Sequence, residues 1–327
     1  QQCVMYVLKN KPPIQSKGIY FRVVNFVNEE KLLAFEEALD KYLKGDKSDK
    51  VYVLEQDKLK TIPGWPFVYW VSDNLRKLFK SSLLENVAKS CTGMQTGNND
   101  RFLRFWWELG KSNIQFNCSN HNESKRSKLR WFPYLKGGGF NKWYGNLDYI
   151  LNWFNDGEEI KKQPNSGITN YKYFFKPGIT YSALTTSIIS ARYFSKGFIF
   201  DNKGSSIFSD TVSLQLLLGI MNSKLISFLI ILINPTASYQ PGDIARIPWC
   251  RSLNKFLKQE IEEYVGKCIK EKRASIIEYE ISWEFISPPH WTTGIIEMLE
   301  HEKKLAIFET EISEAVYKLY DITQEDI

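Results

Sequence analysis

The pattern of apolar and polar positions in the first 90 residues predicts short strands and two helices. Apolar residues recur at helical spacing from Glu29 to Lys44, and Gly45 after them is a typical helix end. Ser72 or Asp73 is suited to cap a second helix, which we expect to run towards Lys89. The β-branched and aromatic runs that predict strands are Val4 to Leu8, Ile19 to Phe26 and Val51 to Leu54.

The pattern changes between Cys91 and Pro248, where Gly, Asn, Ser and aromatic residues become frequent and short apolar runs alternate with turn residues. This texture is typical of a strand-rich module. The predicted strands are Leu129 to Tyr134, Asn170 to Phe175, Ser187 to Phe194 and Gly197 to Phe200. Two helices, Val212 to Met221 and Ser223 to Ile233, follow, and we expect Asn222 to act as the cap between them.

The last part of the chain is predicted to be helical. A charged amphipathic helix extends from Ser252 to Arg273, and a second helix from Glu297 to Tyr320. Pro288 and Pro289 mark the linker between them. The sequence therefore predicts an α+β fold, in which a strand-rich module is flanked by helices and followed by a helical C-terminal region.

Composition adds a charge asymmetry to this picture. The chain has 327 residues, 43% hydrophobic and 24% charged, which is typical of a globular protein of about two domains. Residues 251–327 carry 10 basic and 16 acidic side chains. The overall charge is +6, so residues 1–250 carry a net charge of +12. Such asymmetry favours a polyanionic partner for the basic part.

Several classes of chemistry are disfavoured by the sequence. It contains no P-loop and no Gly-x-Gly-x-x-Gly turn after a strand. Ser287 to His290 approaches the Pro-Pro loop of amino-group methyltransferases, but His290 stands in the aromatic position, so we interpret the stretch as a linker. The apolar run Leu225 to Ile233 is too short to span a membrane. Five scattered cysteines indicate reduced thiols, a cytoplasmic protein and no zinc site.

Basic residues are concentrated between Lys111 and Lys142, where Glu123 is the single acid and aromatic residues are interleaved. Lys and Arg neutralise phosphates, whereas Arg, Asn and Gln read base edges, so this composition favours nucleic-acid binding. A solvated loop with core aromatics beside it is the alternative. The basic residues are Lys111, Lys125, Arg126, Lys128, Arg130, Lys136 and Lys142.

One segment carries a more specific signal. Cys91 to Glu108 resembles the Gly-Leu-Gln-Thr-Gly-x-Asn-Asp-Arg-Phe signature of the PglX adenine-specific DNA methyltransferases of BREX phage-defence systems. Further matches follow in the family's order and cover nearly the whole chain. They include Ile62 to Gly64, Lys136 to Gly138, Lys142 to Asn146, Asn155 to Gly157, Gly178 to Ser182, Lys196 to Asp201, Leu218 to Gly219, Gln240 to Ile244 and Ile281 to Phe285.

The resemblance implies that the S-adenosylmethionine loop and the Asn-Pro-Pro-Tyr catalytic loop lie upstream of this chain. The chain would then bind no cofactor and transfer no methyl group alone. By the same resemblance, it is the DNA sequence-recognition portion of an S-adenosylmethionine-dependent N6-adenine DNA methyltransferase. The implied parts are the trailing strands of the catalytic domain (1–28), a helical connector (29–90), a DNA target-recognition domain (91–250) and a helical C-terminal region (251–327).

We expect double-stranded DNA as the partner, no membrane, and contacts of two kinds. The phosphate contacts expected are Lys125, Arg126, Lys128 and Arg130, joined by Arg101, Lys136 and Lys142. The base-edge contacts expected are Gln95, Asn98 and Gln240. Two alternatives stay open: the specificity part of a type IIG restriction endonuclease-methyltransferase, and a protein-interaction module that docks other phage-defence subunits.

Overall fold

The computed structural model describes residue 7 and residues 17–184, 188–250, 252, 254–323 and 326. The chain divides after Lys80 into two compact units. Helices and strands are mixed throughout, so the predicted α+β class is confirmed. The strand predicted from Val4 to Leu8 lies outside the described residues, apart from Val7.

The first unit pairs one helix with a two-stranded antiparallel sheet. Helix α1 ends where predicted, because Gly45 adopts a left-handed φ of 84° and its N–H bonds the last turn. Ser72 accepts a hydrogen bond from the N–H of Leu75, so it is the cap of α2. The elements are β1 (Lys17–Phe21), α1 (Asn28–Lys44), β2 (Val51–Glu55) and α2 (Asp73–Leu78).

Two predictions in this part of the chain were too long. The strand predicted from Ile19 to Phe26 ends at Phe21, where its pairing with β2 ends at Val51. The helix predicted to run towards Lys89 ends at Leu78. Beyond it, the N–H of Leu84 bonds the carbonyl of Ile247 at 2.8 Å, so a contact distant in sequence replaces a further helical turn.

The second unit contains two four-stranded sheets and the remaining helices. Its elements in chain order are β3 (Lys89–Cys91), α3 (Asn99–Phe102), β4 (Leu103–Phe105), α4 (His121–Arg126), β5 (Trp131–Leu135), β6 (Tyr149–Asn152), α5 (Phe154–Lys161), β7 (Gly178–Tyr181), β8 (Ala191–Phe194), β9 (Ile199–Phe200), β10 (Ser206–Phe208), α6 (Leu214–Asn222), α7 (Lys224–Ile233), α8 (Pro241–Ala245), α9 (Lys255–Ile276) and α10 (Gly294–Tyr320).

The two sheets differ in how their strands pair. One has the order β3-β10-β7-β8, and its neighbouring strands are antiparallel. The other has the order β4-β6-β5-β9, with β5 and β9 parallel and the other pairs antiparallel. The second sheet holds β5, which directly follows the basic stretch of the sequence, so it positions the candidate site.

Aromatic side chains fill the core beside this second sheet. Phe132, Trp153, Phe174 and Phe200 are at most 2% exposed. Phe174 meets Trp153 and Phe200 edge to face, with ring centroids 5.6 and 5.4 Å apart. Such pairs add about 0.5–1.5 kcal/mol each to the burial of their area. Some of the aromatic residues that are frequent between Cys91 and Pro248 therefore form the core of this unit.

One predicted strand and one predicted cap were wrong. Asn170 to Phe175 is not a strand: a 3-10 turn occupies Tyr171–Tyr173, and φ is positive at both Asn170 and Phe175. The run was misleading because Phe174 and Phe175 are buried core residues. Ser223, not Asn222, caps α7 through the N–H of Ile226. The Asn222 amide instead bonds the backbone N–H and C=O of Ala191 in β8, at 2.8 and 2.9 Å.

Helices α9 and α10 form an antiparallel pair that packs against α6. Gly219 of α6 lies at the contact, where an added Cβ would come within 2.5 Å of Ile261 and 2.9 Å of Val265. Of the helices in the described residues, none is long and apolar enough to span a membrane singly. Helices α6 and α7 reach that composition only jointly and are bent by 70°.

Candidate nucleic-acid interface

Four basic side chains form a continuous stretch that we call the basic edge: Lys125, Arg126, Lys128 and Arg130. Lys125 and Arg126 end helix α4, and Lys128 and Arg130 lead into β5. All four are exposed, and among the described residues none forms an ion pair with an acid. Glu123 is nearby in sequence, but its carboxylate accepts the N–H of Ser119. The basic edge therefore carries an uncompensated charge of +4.

A buried carboxylate, that of Asp156, holds the helix that carries part of the basic edge. His121, the first residue of α4, contacts Asp156 Oδ1 through Nδ1 at 2.9 Å and the carbonyl of Tyr171 through Nε2 at 3.0 Å. Asp156 also accepts hydrogen bonds from Trp153 Nε1 at 3.2 Å, Lys161 Nζ at 3.0 Å and the Tyr171 hydroxyl. Helix α4 is thus tied at its start to a fixed point of the core.

The ionisation of Asp156 follows from these partners. Burial alone would raise the pKa of the Asp156 carboxyl, but hydrogen bonds from His121, Tyr171 and Lys161 outweigh it and lower the pKa to about 2. The group is therefore charged at neutral pH, and its negative charge faces the imidazole of His121 and the ammonium of Lys161. This arrangement holds α4 in place without neutralising the basic edge.

An exposed aromatic residue lies beside the basic edge. The guanidinium of Arg130 lies 5.3 Å from the ring centroid of Phe154, whose side chain is 40% exposed. Asn155, Asp156 and Gly157, which follow Phe154, have φ values of 48°, 56° and 76°. Left-handed backbone at consecutive non-glycine residues is costly, and the hydrogen bonds of Asp156 oppose that cost. Phe154 is consequently presented from a rigid turn.

Two predicted contact residues, Lys136 and Lys142, are engaged in internal ion pairs. Lys136 Nζ lies 3.0 Å from Asp201 Oδ2, and this buried acid also accepts the Tyr134 hydroxyl. Lys142 Nζ lies 3.1 Å from Glu309 Oε2 on helix α10, and only 13% of the Lys142 side chain is exposed. Both cations have structural partners, so the basic edge is electrostatically distinct from them.

Arg101 and the predicted amides have partial structural roles. Arg101 Nη2 lies 3.1 Å from Glu159 Oε2, although the arginine side chain is 57% exposed. Asn98 caps α3 by accepting the N–H of Arg101, and Gln240 caps α8. The Gln95 amide donates to the carbonyl of Asn165 and accepts from Asn202. Gln95, Asn98 and Gln240 all remain exposed.

Sequence reasoning missed the parts that support the basic edge. The ring of His121 stacks on Tyr171, 50 residues further along the chain. Its bond to Asp156, 35 residues away, has no local signature. A signal did exist in Asn155 to Gly157, since Asn, Asp and Gly are the residues that tolerate left-handed backbone.

Metal and thiol chemistry find no support in the described part of the chain. Within it, no group of three or more His, Cys, Asp or Glu is arranged to hold a metal ion. Cys91, Cys118, Cys250 and Cys268 are buried free thiols. Burial raises the pKa of each, to about 12 for Cys91 and about 11 for Cys118, so these thiols are unreactive at neutral pH.

Comparison with known proteins finds two relatives that match most of this chain. It is 34% identical over 302 residues to the adenine-specific methyltransferase PglX of Lacticaseibacillus casei (strain Zhang). The matched region covers 89% of this chain and 24% of that protein. It is 32% identical over 294 residues to the adenine-specific methyltransferase BrxX of Escherichia coli O9:H4 (strain HS), which covers 87% of this chain and 22% of that protein. The chain is therefore homologous to adenine-specific methyltransferases.

More particularly, it corresponds to a part of PglX and BrxX, and it spans about a quarter of the length of each. The resemblance predicted from Cys91 to Glu108 and the matches around it is confirmed. No protein-family profile matches the chain. A solved structure of the type IIL restriction-modification enzyme MmeI in complex with DNA is similar with a TM-score of 0.41 and 12% identity, over 72% of this chain and 33% of that one.

Proposed function

We propose that this chain is the DNA sequence-recognition portion of an adenine-specific methyltransferase. In this proposal, residues 91–250 form the target-recognition domain. The basic edge contacts phosphates and sets the register on the duplex, while exposed amides such as Gln95 and Asn98 read base edges. An upstream catalytic domain would bind S-adenosylmethionine, flip the adenine and methylate its amino group.

The observation that carries the proposal is the basic edge itself. Four adjacent cations are exposed, have no acidic partner among the described residues, and stand on a helix fixed by Asp156. A solvated face of an ordinary protein mixes both signs of charge, as Lys41 and Glu37 do in α1. A surface of positive charge alone, held in a fixed position, suits a polyanion with regularly spaced phosphates. The homology to adenine-specific methyltransferases makes duplex DNA the natural candidate.

A binding experiment across a salt series tests the proposal. A pool of labelled duplexes with a random central segment is titrated with the chain, and the retained fraction is sequenced. For B-DNA, the log of affinity falls against the log of salt concentration with a slope of about −0.9 for each phosphate neutralised. We expect a slope of about −3 to −4 from the basic edge, together with enrichment of one short motif.

Matched charge reversals complete the experiment. Replacing Lys125, Arg126, Lys128 and Arg130 with Glu should remove most of the salt dependence. The control replaces Lys255, Lys258, Lys270 and Lys303 with Glu; these have no ion pair among the described residues, and the change in net charge is the same. Equal losses in both variants, or enrichment of no motif by the wild-type chain, would contradict sequence recognition by this surface.

A methyl-transfer assay separately tests the proposal that catalysis belongs to the upstream domain and recognition to this chain. We expect the chain alone to transfer no labelled methyl group from S-adenosylmethionine to DNA, because the resemblance puts both catalytic loops upstream. Turnover by the isolated chain above the level of a DNA-only blank would overturn this part of the proposal.

A further inference from the structure

A large groove lies between the strand-rich part of the second unit and helices α9 and α10. Its volume is about 840 Å³, within the range typical of ligand and peptide sites. One wall is the loop from Asn141 to Asp148, and the other is formed by the linker after α9 and the start of α10. We call this feature the C-terminal groove. It contains none of the residues of the basic edge.

Large apolar side chains line this groove and face solvent. Trp291 is 97% exposed, Ile295 is 72% exposed and Met298 is 42% exposed. Ile295 and Met298 are three residues apart in α10 and so share one helical face. Apolar residues scattered singly are normal on a surface, but a contiguous set around a groove marks an interaction site. The shape and composition fit the apolar face of another helix.

A carboxylate without a partner among the described residues, that of Asp148, lies in the wall of the groove. Asp148 is half-buried, and its carboxylate forms no hydrogen bond or ion pair with any described residue. Its backbone carbonyl accepts the N–H of Trp106 at 3.1 Å, which fixes the position of the residue. Burial raises the pKa of the Asp148 carboxyl. A half-buried acid that lacks a donor gains free energy when a cation reaches it.

Most of the charged side chains around the groove have the same sign as Asp148. Glu278 and Glu302 also line it, against one lysine, Lys272. His301, a further lining residue, is already bonded through Nδ1 to Glu271. The groove is therefore apolar in its walls and acidic in its net charge, which selects for a cationic amphipathic partner.

We propose that the C-terminal groove binds an amphipathic helix of a partner protein, whose apolar face covers Trp291, Ile295 and Met298 and whose lysine or arginine pairs with Asp148. The partner helix would supply the donor that Asp148 lacks. This inference does not depend on the proposed DNA recognition, because the groove and the basic edge share no residue.

Defined peptides test this proposal on the full chain. The probe is a labelled amphipathic peptide of about 18 residues, roughly 27 Å long as a helix, with leucine on one face and glutamine on the other. One central lysine stands on the boundary between the two faces. The matched peptide has glutamine in place of that lysine. Binding of both is measured by fluorescence anisotropy to the wild-type chain and to Asp148→Asn. We expect about a tenfold preference of the wild-type chain for the lysine peptide and no preference in Asp148→Asn.

Two further variants separate the groove from the helix surface as a whole. Met298→Ser, in the groove wall, should weaken both peptides equally. Ile307→Ser is the matched control, since Ile307 is 58% exposed on the same helix but does not line the groove. Thermal unfolding of each variant confirms that it is folded before binding is compared.

Three outcomes would overturn the proposal. The first is that the lysine peptide shows no saturable binding at concentrations up to about 1 mM. The second is a lysine preference that persists in Asp148→Asn. The third is concentration-dependent dimerisation of the wild-type chain in sedimentation velocity that Met298→Ser abolishes, since a second copy would then be the occupant.

Discussion

One aspartate lies beneath the basic edge and another in the C-terminal groove, and the two carboxylates have opposite surroundings. Asp156, beneath the basic edge, is fully buried and accepts hydrogen bonds from four side chains. Asp148, in the groove, is half-buried and receives no side-chain donor from the described residues. Accordingly, the pKa of Asp156 is lowered to about 2, whereas the pKa of Asp148 is raised.

The difference shows which charges have partners inside the protein and which are available to another molecule. Asp156 has its own partners inside the protein, His121 and Lys161 among them, and the four cations of the basic edge lie outside that network. In the groove, by contrast, the charge without a partner is Asp148, which is part of the wall. A buried charge without partners lowers stability, so it persists where a partner or a function compensates for it. The two regions should therefore respond in opposite directions to the same kinds of change.

The largest expected effect is on DNA affinity. Reversing Lys125, Arg126, Lys128 and Arg130 to Glu should lower it by about a thousandfold at low salt, since four phosphate contacts become repulsive. At physiological salt the same variant should bind the lysine peptide within about twofold of the wild-type chain, because the groove shares no residue with the basic edge and salt screens exposed charges. Paired anisotropy titrations check both values. If both affinities fell together, the two regions would not be independent sites.

The next largest effect is on stability, through Asp156→Asn. We expect the free energy of unfolding at pH 7 to fall by about 2–4 kcal/mol, because a buried network loses its acceptor. A group with a lowered folded pKa stabilises the protein fully above its ordinary pKa, 3.8 for Asp, and loses that contribution as the pH falls towards 2. Urea unfolding should therefore show wild type and variant converging between about pH 4 and pH 2. A difference that stayed constant over this range would contradict the assignment.

A smaller effect should distinguish free cations from neutralised ones. Lys128→Gln should weaken DNA binding about fivefold and reduce the salt slope by about one unit. Lys142→Gln should leave affinity within about twofold, since Glu309 already neutralises that ammonium. Salt-series anisotropy on the two variants is the measurement. Equal slopes for both would show that Lys142 leaves Glu309 to meet the phosphates.

The smallest effect expected is that of Asp148→Asn on stability. We expect a gain of less than about 1 kcal/mol at pH 7, because a desolvated charge is removed. A group with a raised folded pKa costs stability above that pKa, and the cost disappears as the pH falls through it. The gain in stability of Asp148→Asn should therefore vanish on acidification. The loss of stability in Asp156→Asn vanishes on acidification as well, so the two variants approach the wild type from opposite sides. A variant less stable than wild type at pH 7 would mean that Asp148 has a stabilising partner.

Local sequence patterns predicted much of the fold and part of the site. Helices α1, α9 and α10 were predicted nearly to their ends, because periodicity and caps act over a few residues. The strand expected from Asn170 to Phe175 failed because aromatic residues at core positions imitate strand alternation. The exposed cations of the basic edge follow from composition alone.

Long-range partners could not be predicted in the same way. Lys136 and Lys142 resemble Lys128 in sequence, yet their acids lie 65 and 167 residues away. Two of the four donors to Asp156, Trp153 and Lys161, are close to it in sequence. Tyr171 and His121 lie 15 and 35 residues away, so the complete network exists only after folding. Asp148 gave no signal either, because a missing donor is a property of the folded surroundings.

If residues 91–250 are the target-recognition domain proposed above, the contacts of the C-terminal region bear on how that domain could be exchanged. Trp106, Trp143 and Tyr144 donate hydrogen bonds to Ile281, Glu309 and Glu284, respectively, at 2.6, 2.7 and 2.8 Å. In a chimaera that exchanged only residues 91–250 between relatives, the two partners of each of these bonds would come from different parents. The natural cassette for transplantation therefore begins near Ser81 and carries its own C-terminal helices, because donor and acceptor must come from the same parent.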